Sequence, residues 1–187
     1  MTASIPADAA AAAVQHDPER PPATHVYARL CGQLSKLSLM LAIVGLIVLM
    51  LSVQTQVVGR YIFNDTPTWT EALALQLVLY ITALAVAVGV RDAGHIGLES
   101  LVSLMPESMR LKMEILIHAL VALFGGIMAW SGWIWTRLKW DELDPMLGVS
   151  AGLDYLSLVI AGVLIVMFSF EHILALLRGE EVVPSWY

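Results

Sequence analysis

Two histidines, His118 and His172, are the side chains of this sequence best suited to cofactor chemistry. Each lies near one end of a long apolar run, and the order of the runs places both rings at a similar depth. Two histidines on facing helices can ligate a haem iron. The alternative is that each ring lies at a membrane interface, beside Glu114 or Glu171. We favour this alternative and expect no bound cofactor.

A group of carboxylates, Asp141, Glu142 and Asp144, lacks the ligand spacing of a calcium loop. These side chains are expected to form a solvated surface or, failing that, a docking surface for a soluble partner. The sequence contains no P-loop, HExxH or GxSxG motif, so we expect neither enzymatic activity nor a metal site. The formal net charge of −6 argues against a nucleic-acid partner.

The apolar runs themselves predict the fold. Hydrophobic residues make up 58% of the chain and charged residues only 14%, whereas soluble domains average about half and a quarter. A helix needs about 20 apolar residues to cross the hydrocarbon core of a bilayer. Four segments free of Asp, Glu, Lys and Arg approach or reach this length: Leu37–Gly59, Ala72–Val90, Ile115–Thr136 and Tyr155–Phe170, the last continuing in apolar character to Leu177. Their continuous apolar character excludes a barrel and predicts an all-α membrane protein with four transmembrane helices.

Between the second and third spans lies a shorter amphipathic segment. Leu98, Leu101, Val102 and Met105 fall at helical spacing and form one apolar stripe. This pattern predicts a short interfacial helix on the cytoplasmic surface of the membrane. The expected organisation is a flexible N-terminal tail over residues 1–34, a four-helix transmembrane domain over 35–178 and a C-terminal tail over 179–187.

Basic residues predict the orientation. With both termini in the cytoplasm, the inside segments hold most of the Lys and Arg, and the outer loops hold only Arg60, Arg137 and Lys139. The positive-inside rule therefore favours cytoplasmic N- and C-termini. None of the spans has a charged residue at its centre, which argues against an ion pathway within this chain.

Two motifs are more specific than composition. The first runs from Gly59-Arg60-Tyr61-Ile62-Phe63-Asn64 to Pro67-Thr68-Trp69-Thr70-Glu71, and the second is Val90-Arg91-Asp92-Ala93-Gly94-His95-Ile96-Gly97. Both resemble the small permease subunit of tripartite ATP-independent periplasmic (TRAP) transporters, the DctQ type. The resemblance covers residues 35–178. The chain departs from the family pattern at Ala72, where a second acidic residue is usual, and at Leu75 and Gln76, near which a basic residue is often found.

Six motif residues are candidates for contacts that hold an assembly together. Arg60 and Glu71 flank one short turn and are expected to pair with each other or with a partner. Asn64 supplies turn chemistry, and Trp69 is expected to anchor the hairpin at the interface. Gly94 permits a tight turn, and His95 can hydrogen-bond backbone or lipid headgroups.

The resemblance implies a function that these residues alone do not. It implies a non-catalytic scaffold or accessory subunit in the bacterial inner membrane, surrounded by lipid. Its transporter would be sodium-coupled and import small organic anions such as carboxylates, with a large permease subunit and a periplasmic binding protein as partners. The histidine pair keeps open a different class, the haem-binding membrane anchor of a respiratory enzyme. A small exporter that acts as a dimer is a third possibility.

Overall fold

A computed structural model describes residues 22–92 and 107–178 of the chain. Within these residues lie four long helices, α1 (Pro22–Val58), α2 (Thr68–Asp92), α3 (Glu107–Leu138) and α4 (Gly152–Arg178). A π-helical turn, Gly59–Phe63, follows α1 directly. All four helices are long and apolar enough to cross a membrane. The prediction of an all-α protein with four transmembrane helices is therefore confirmed.

Helix α1 is much longer than its apolar run. Its 37 residues span about 55 Å, against about 30 Å for the hydrocarbon core. Residues 22–34, which the sequence pattern placed in the flexible tail, are helical. Contacts with the rest of the protein explain the extension, since Cys31 is fully buried and the Tyr27 hydroxyl donates a 2.8 Å hydrogen bond to the Met167 carbonyl of α4.

The helices pack in the order α1, α2, α4, α3. Helix α2 lies between α1 and α4, while α3 packs against α4 alone among the helices described. We call the end that carries residues 59–67 and 139–151 the hairpin end. The opposite end, where α1 and α3 begin and α2 and α4 finish, is the terminal end. Such an arrangement leaves each helix with a broad face that no other described helix covers.

Small residues let α3 and α4 approach closely. A Cβ atom on Gly162 would lie 2.5 Å from both the Ala129 nitrogen and the Gly125 oxygen. A Cβ on Gly132 would lie 3.0 Å from the Leu158 Cβ. The small-residue pair Gly125/Ala129 thus serves contacts within the chain. A Cβ on Gly126, one residue further along, would meet no atom within 4 Å.

The buried core is small and lies toward the terminal end. It is formed by Cys31, Ala87, Leu164, Ile165 and Phe168. Large apolar side chains are exposed along all four helices, for example Met40 (65%), Leu75 (65%) and Leu123 (61%). Lipid or a partner protein must cover such surfaces in a membrane protein.

Several predictions lie outside the described residues. They are the interfacial helix around Leu98–Met105, the contacts assigned to Gly94 and His95, residues 1–21 of the N-terminal tail and the C-terminal tail 179–187. In the described residues the first helix begins at Pro22, before the predicted boundary at 34, and the last ends at Arg178.

Candidate functional site

The hairpin-end turn is built around Gly59 and Asn64. Asn64 adopts the left-handed conformation at φ 50°, which asparagine tolerates better than most residues. This conformation turns the chain back so that the Asp65 amide donates a 3.1 Å hydrogen bond to the Gly59 carbonyl. A Cβ on Gly59 would lie only 2.7 Å from the Asp65 oxygen. The motif glycine is therefore required by this close approach.

Hydrogen bonds attach this turn to both flanking helices. The Thr70 hydroxyl donates to the Pro67 carbonyl at 2.6 Å, and the Ser52 hydroxyl of α1 donates to the Thr70 carbonyl at 3.1 Å. Both Ser52 and Thr70 are buried. The turn is thus held rigidly against α1, and Thr70 is its principal anchor.

The charged and aromatic residues of the same motif point outward. Arg60, Trp69 and Glu71 are all exposed, Trp69 by 45% of its surface. Arg60 and Glu71 form no ion pair with each other in the described structure, so the first of the two predicted pairings is not observed. Asn64, by contrast, has the turn role that the sequence predicted. A turn attached to both flanking helices therefore presents three exposed side chains, of which Trp69 is the most covered.

The second hairpin-end segment, residues 139–151, is also well ordered by hydrogen bonds. The Asp144 carboxylate accepts bonds from the amides of Met146 (2.7 Å) and Leu147 (2.9 Å). A backbone bridge pairs Leu143 with Ser150. The Lys139 ammonium hydrogen-bonds Glu142, and this contact raises the pKa of Lys139 above its ordinary value. The acidic group thus forms part of a structured loop whose carboxylates are exposed or half-buried.

A shallow cavity of about 180 Å³ separates this loop from the first turns of α2. Leu75 and Met146 contribute apolar walls, and Glu71, Asp144 and Asp154 contribute carboxylates. The cavity therefore brings one residue of the sequence motif, Glu71, together with the acidic loop.

The terminal end contains a feature that the sequence did not predict, a buried ion pair. Arg91 of α2 forms two hydrogen bonds with the Glu171 carboxylate of α4, from Nε at 2.9 Å and from Nη2 at 3.1 Å. The two side chains are only 4% and 6% exposed. Bidentate arginine–carboxylate pairs are among the strongest hydrogen-bonded contacts in proteins. They also need further partners to offset the loss of hydration.

These further partners come from three helices. Arg91 Nη1 contacts the Asp92 carboxylate at 2.8 Å, and the Ser35 hydroxyl of α1 donates to the same carboxylate at 3.2 Å. His172 Nε2 lies 2.9 Å from the Arg91 carbonyl, and since a carbonyl only accepts, this nitrogen carries a proton. We call Ser35, Arg91, Asp92, Glu171 and His172 the ion network. It joins α1, α2 and α4 in one polar contact.

The positions of three charged residues in the sequence are a weak indication of this network. Arg91 and Asp92 directly follow one apolar run, and Glu171 interrupts the end of another. Charged residues at such positions usually reach water, so the pattern does not predict their burial. The packing of α1 over this end, which begins before residue 35, contributes to removing them from solvent.

His118 and His172 lie against each other, in an arrangement that does not suit haem ligands. The His118 and His172 rings stack with centroids 4.5 Å apart and planes inclined by 7°. Two axial histidines must point a ring nitrogen at the iron from opposite sides of the macrocycle. Rings stacked face to face at this separation leave no room for a porphyrin between them, and His172 Nε2 faces Arg91. The haem-anchor alternative is therefore not supported.

Comparison with known proteins agrees with the architecture. The sequence profile of a family described as "Tripartite ATP-independent periplasmic transporters, DctQ component" matches residues 49–179. The chain is 28% identical over 137 residues to the sialic acid TRAP transporter small permease protein SiaQ of Vibrio cholerae, covering 72% of this chain and 79% of that one. It is 23% identical to a putative TRAP transporter small permease protein of Haemophilus influenzae, over 66% of this chain and 80% of that one.

A third relative differs in size. The sialic acid TRAP transporter permease protein SiaT of Haemophilus influenzae is 31% identical over 84 residues, which make up 45% of this chain but only 13% of that protein. The family profile covers well over half of the present chain and includes the hairpin-end turn, all of the ion network except Ser35, and three complete helices. This four-helix inner-membrane protein therefore belongs to the DctQ component family of tripartite ATP-independent periplasmic transporters.

Proposed function

We propose that this chain is the small permease subunit of a sodium-coupled transporter that imports small organic anions, carboxylates in particular. Its partners are a large permease subunit and a periplasmic substrate-binding protein. The chain itself acts as a scaffold and does not conduct substrate. The observation that carries this proposal is the match to the DctQ profile over residues 49–179, on a protein whose described helices expose most of their apolar surface.

The position of the charged side chains supports a scaffold role. In the described residues, Arg91, Asp92 and Glu171 saturate one another at the terminal end. The other charged groups whose side chains are described lie in loops or near helix ends, apart from Arg29 and Lys36 in the first part of the long helix α1. A pathway for ions or carboxylates requires polar groups near mid-membrane that can exchange partners. A saturated network that joins three helices instead stiffens the protein.

The relation to SiaT supports a tight association with a large permease. In that relative, a segment similar to this chain forms a small part of a much longer permease protein. Two sequences that occur as one chain in a relative are good candidates for permanent partners as separate chains. The exposed apolar faces of α1, α2 and α3 offer the surface that such a contact needs.

Relatives also indicate the class of substrate. Two of them are named as sialic acid transporter proteins, and sialic acid is itself a carboxylate. Sequence identities of about 30% are too low to show that the transporter of this chain carries the same sugar acid. The proposal therefore remains at the level of small carboxylates, with sialic acid as the first compound to test.

Our proposed topology places the terminal end in the cytoplasm and the hairpin end in the periplasm. Exposed Lys and Arg at the terminal end support this orientation through the positive-inside rule. Arg60, Trp69, Glu71 and the acidic loop then face the compartment of the binding protein. Arg60, Trp69 and Glu71, with His95 on the other side of the membrane, are the side chains we propose for assembly contacts.

The first test is affinity purification of the chain in a mild detergent with a C-terminal tag, followed by mass spectrometry. We expect one large membrane protein in a 1:1 ratio. If the chain is expressed at its native level and is recovered without a partner, the scaffold proposal is contradicted.

The second test is transport. The purified complex and its binding protein are reconstituted in liposomes, and uptake of labelled carboxylates is measured with an inward sodium gradient. We expect uptake only when this chain, the large permease and the binding protein are all present. Uptake by this chain alone, or uptake that persists after the sodium gradient is collapsed, would overturn the proposed mechanism.

A further inference from the structure

Trp130 of α3 is exposed on a helix that is long and apolar enough to cross the membrane. Its surface is 70% exposed, and its indole N–H donates no hydrogen bond to any residue that the structure describes. The hydroxyls of Tyr27 and Tyr80, by contrast, each donate a 2.8 Å hydrogen bond to a carbonyl of α4. Trp130 therefore differs from these two aromatic residues, whose polar atoms are satisfied within the bundle.

The depth of Trp130 in the bilayer follows from the charge-free runs of two helices. It lies about 7 Å along the axis from the midpoint of the run Ile115–Thr136 in α3. Its neighbour Ala129 packs against Gly162, which is at the midpoint of the run Tyr155–Phe170 in α4. The hydrocarbon extends about 15 Å to each side of the bilayer centre. Both measures therefore place Trp130 inside the hydrocarbon.

The direction of α3 keeps the indole away from the interface. Side chains of a helix lean toward its N-terminus, and α3 begins at the terminal end, so Trp130 leans toward the bilayer centre. Tryptophan favours the interface because its N–H finds acceptors there. The hydrocarbon contains no acceptor. Lipid chains around Trp130 would thus leave its donor without a partner, whereas a neighbouring protein can supply one.

Trp130 belongs to a face of α3 that no described helix covers. Helix α3 packs against α4 alone among the helices described, and its opposite face carries large apolar side chains at steps of three and four residues. Each of them is at least 47% exposed: Leu116, Leu120, Leu123, Ile127, Trp130 and Ile134. This spacing suits a second helix that packs along α3 at a shallow angle.

A second copy of this chain is a poor match for the same face. In a symmetric contact the face meets itself, so the indole N–H of Trp130 would meet only leucine, isoleucine and tryptophan side chains. None of these side chains accepts a hydrogen bond. The acceptor must come from a helix of different sequence, as a hydroxyl or amide side chain or as a carbonyl at a helix break. Hydrogen bonds of this kind join neighbouring membrane helices.

We infer that this face of α3 packs against a transmembrane helix of the large permease, and that the Trp130 indole donates a hydrogen bond to an oxygen of that helix. The inference rests on the proposed function, because it takes the large permease as the partner. It adds to that function the helix, the face and the polar contact through which the two subunits associate.

Site-specific crosslinking tests the face. The photoreactive residue benzoylphenylalanine replaces Ile127 in the full chain, which is expressed with the large permease. Ile47 of α1 is the matched control position, since the two isoleucines are 59% and 55% exposed. We expect light to link the chain to the large permease from position 127 at a clearly higher yield than from position 47.

Three results would overturn the assignment of this face. They are equal yields from the two positions, a crosslink from position 127 to a second copy of the chain, and no protein crosslink from position 127. If the unsubstituted chain still co-purifies with the large permease in these cases, the proposed function stands and only the face is wrong. If the unsubstituted chain recovers no permease, both proposals fall.

The hydrogen bond is tested with Trp130→Phe, which keeps an aromatic ring and removes the donor. We expect the affinity between the subunits, measured by dissociation of the labelled complex on dilution in detergent, to fall about three- to tenfold. Trp133→Phe is the control, because Trp133 is also exposed, by 49%, but lies nearer the hairpin-end interface. It should leave the affinity unchanged. An unchanged affinity for Trp130→Phe, or an equal loss in both variants, would overturn the assigned hydrogen bond.

Discussion

Arg91 Nε and Nη2 bind the two oxygens of Glu171 at 2.9 and 3.1 Å, across a separation of 80 residues in the chain. This contact joins the end of α2 to the end of α4, where the helices are otherwise held by apolar packing. Asp92 adds a second carboxylate to the same guanidinium. The arginine thus contacts both buried carboxylates, and its removal has different consequences from removal of either carboxylate.

The first prediction ranks variants of this network. Arg91→Leu leaves Asp92 and Glu171 buried without their cation, and we expect a loss of about 3–5 kcal/mol in the free energy of unfolding. Glu171→Leu costs less, because Arg91 keeps Asp92. Reversible unfolding in mixed micelles of dodecyl maltoside and dodecyl sulfate measures both. Arg60→Leu, at an exposed site, is the control and should change stability by less than about 0.5 kcal/mol. A larger loss for Glu171→Leu than for Arg91→Leu would contradict the described balance of charge.

The second prediction concerns two glycines on the third and fourth helices. Gly162→Ala places a methyl group 2.5 Å from backbone atoms of α3, and overpacking of this kind costs about 1–3 kcal/mol. Gly126→Ala adds the same methyl group where no atom lies within 4 Å, and is expected to be neutral or slightly stabilising. Thermal denaturation in detergent compares the two. Equal melting temperatures would mean that α3 and α4 do not approach as closely as described.

The third prediction addresses the exposed hairpin-end contacts. Arg60→Ala and Glu71→Ala remove exposed side chains and should leave the melting temperature unchanged, whereas Trp69→Ala, at a side chain that is 45% exposed, should lower it slightly. If these residues are important for assembly, at least one lowers recovery of the large permease by about fivefold or more, as expected for an interface hot spot. Lys112→Ala, exposed at the other end, is the control. Full recovery with all three variants would remove this turn from the interface.

The fourth prediction concerns orientation. Cys31 is the only cysteine and is fully buried, so the native chain should react slowly with a membrane-impermeant maleimide. Asn64 is left unchanged because it shapes the turn. Thr68→Cys and Arg178→Cys place a cysteine at exposed positions at opposite ends of the helices. In intact spheroplasts we expect labelling of the Thr68→Cys protein alone. Labelling of the Arg178→Cys protein without permeabilisation would reverse the proposed topology.

Patterns in the sequence predict the helices of this protein but not the contacts between them. Apolar runs predicted all four helices, because a membrane demands about 20 apolar residues whatever the tertiary structure. The contact of Gly125 and Ala129 with Gly162 depends on how α4 packs against α3, which no pattern along one helix reports. In the same way, the positions of Arg91 and Glu171 after apolar runs do not show that another helix covers these helix ends.

That long-range pair also has a consequence for biogenesis. Helices α1 and α2 form one hairpin and α3 and α4 another, and Arg91 and Glu171 belong to different hairpins. Within the first hairpin the described ion pair of the arginine is with Asp92, and the described ion pair of Glu171 is with this arginine of the other hairpin. The pair can form only after both hairpins have been inserted and have met. Its formation therefore marks the last step in the assembly of the four-helix subunit.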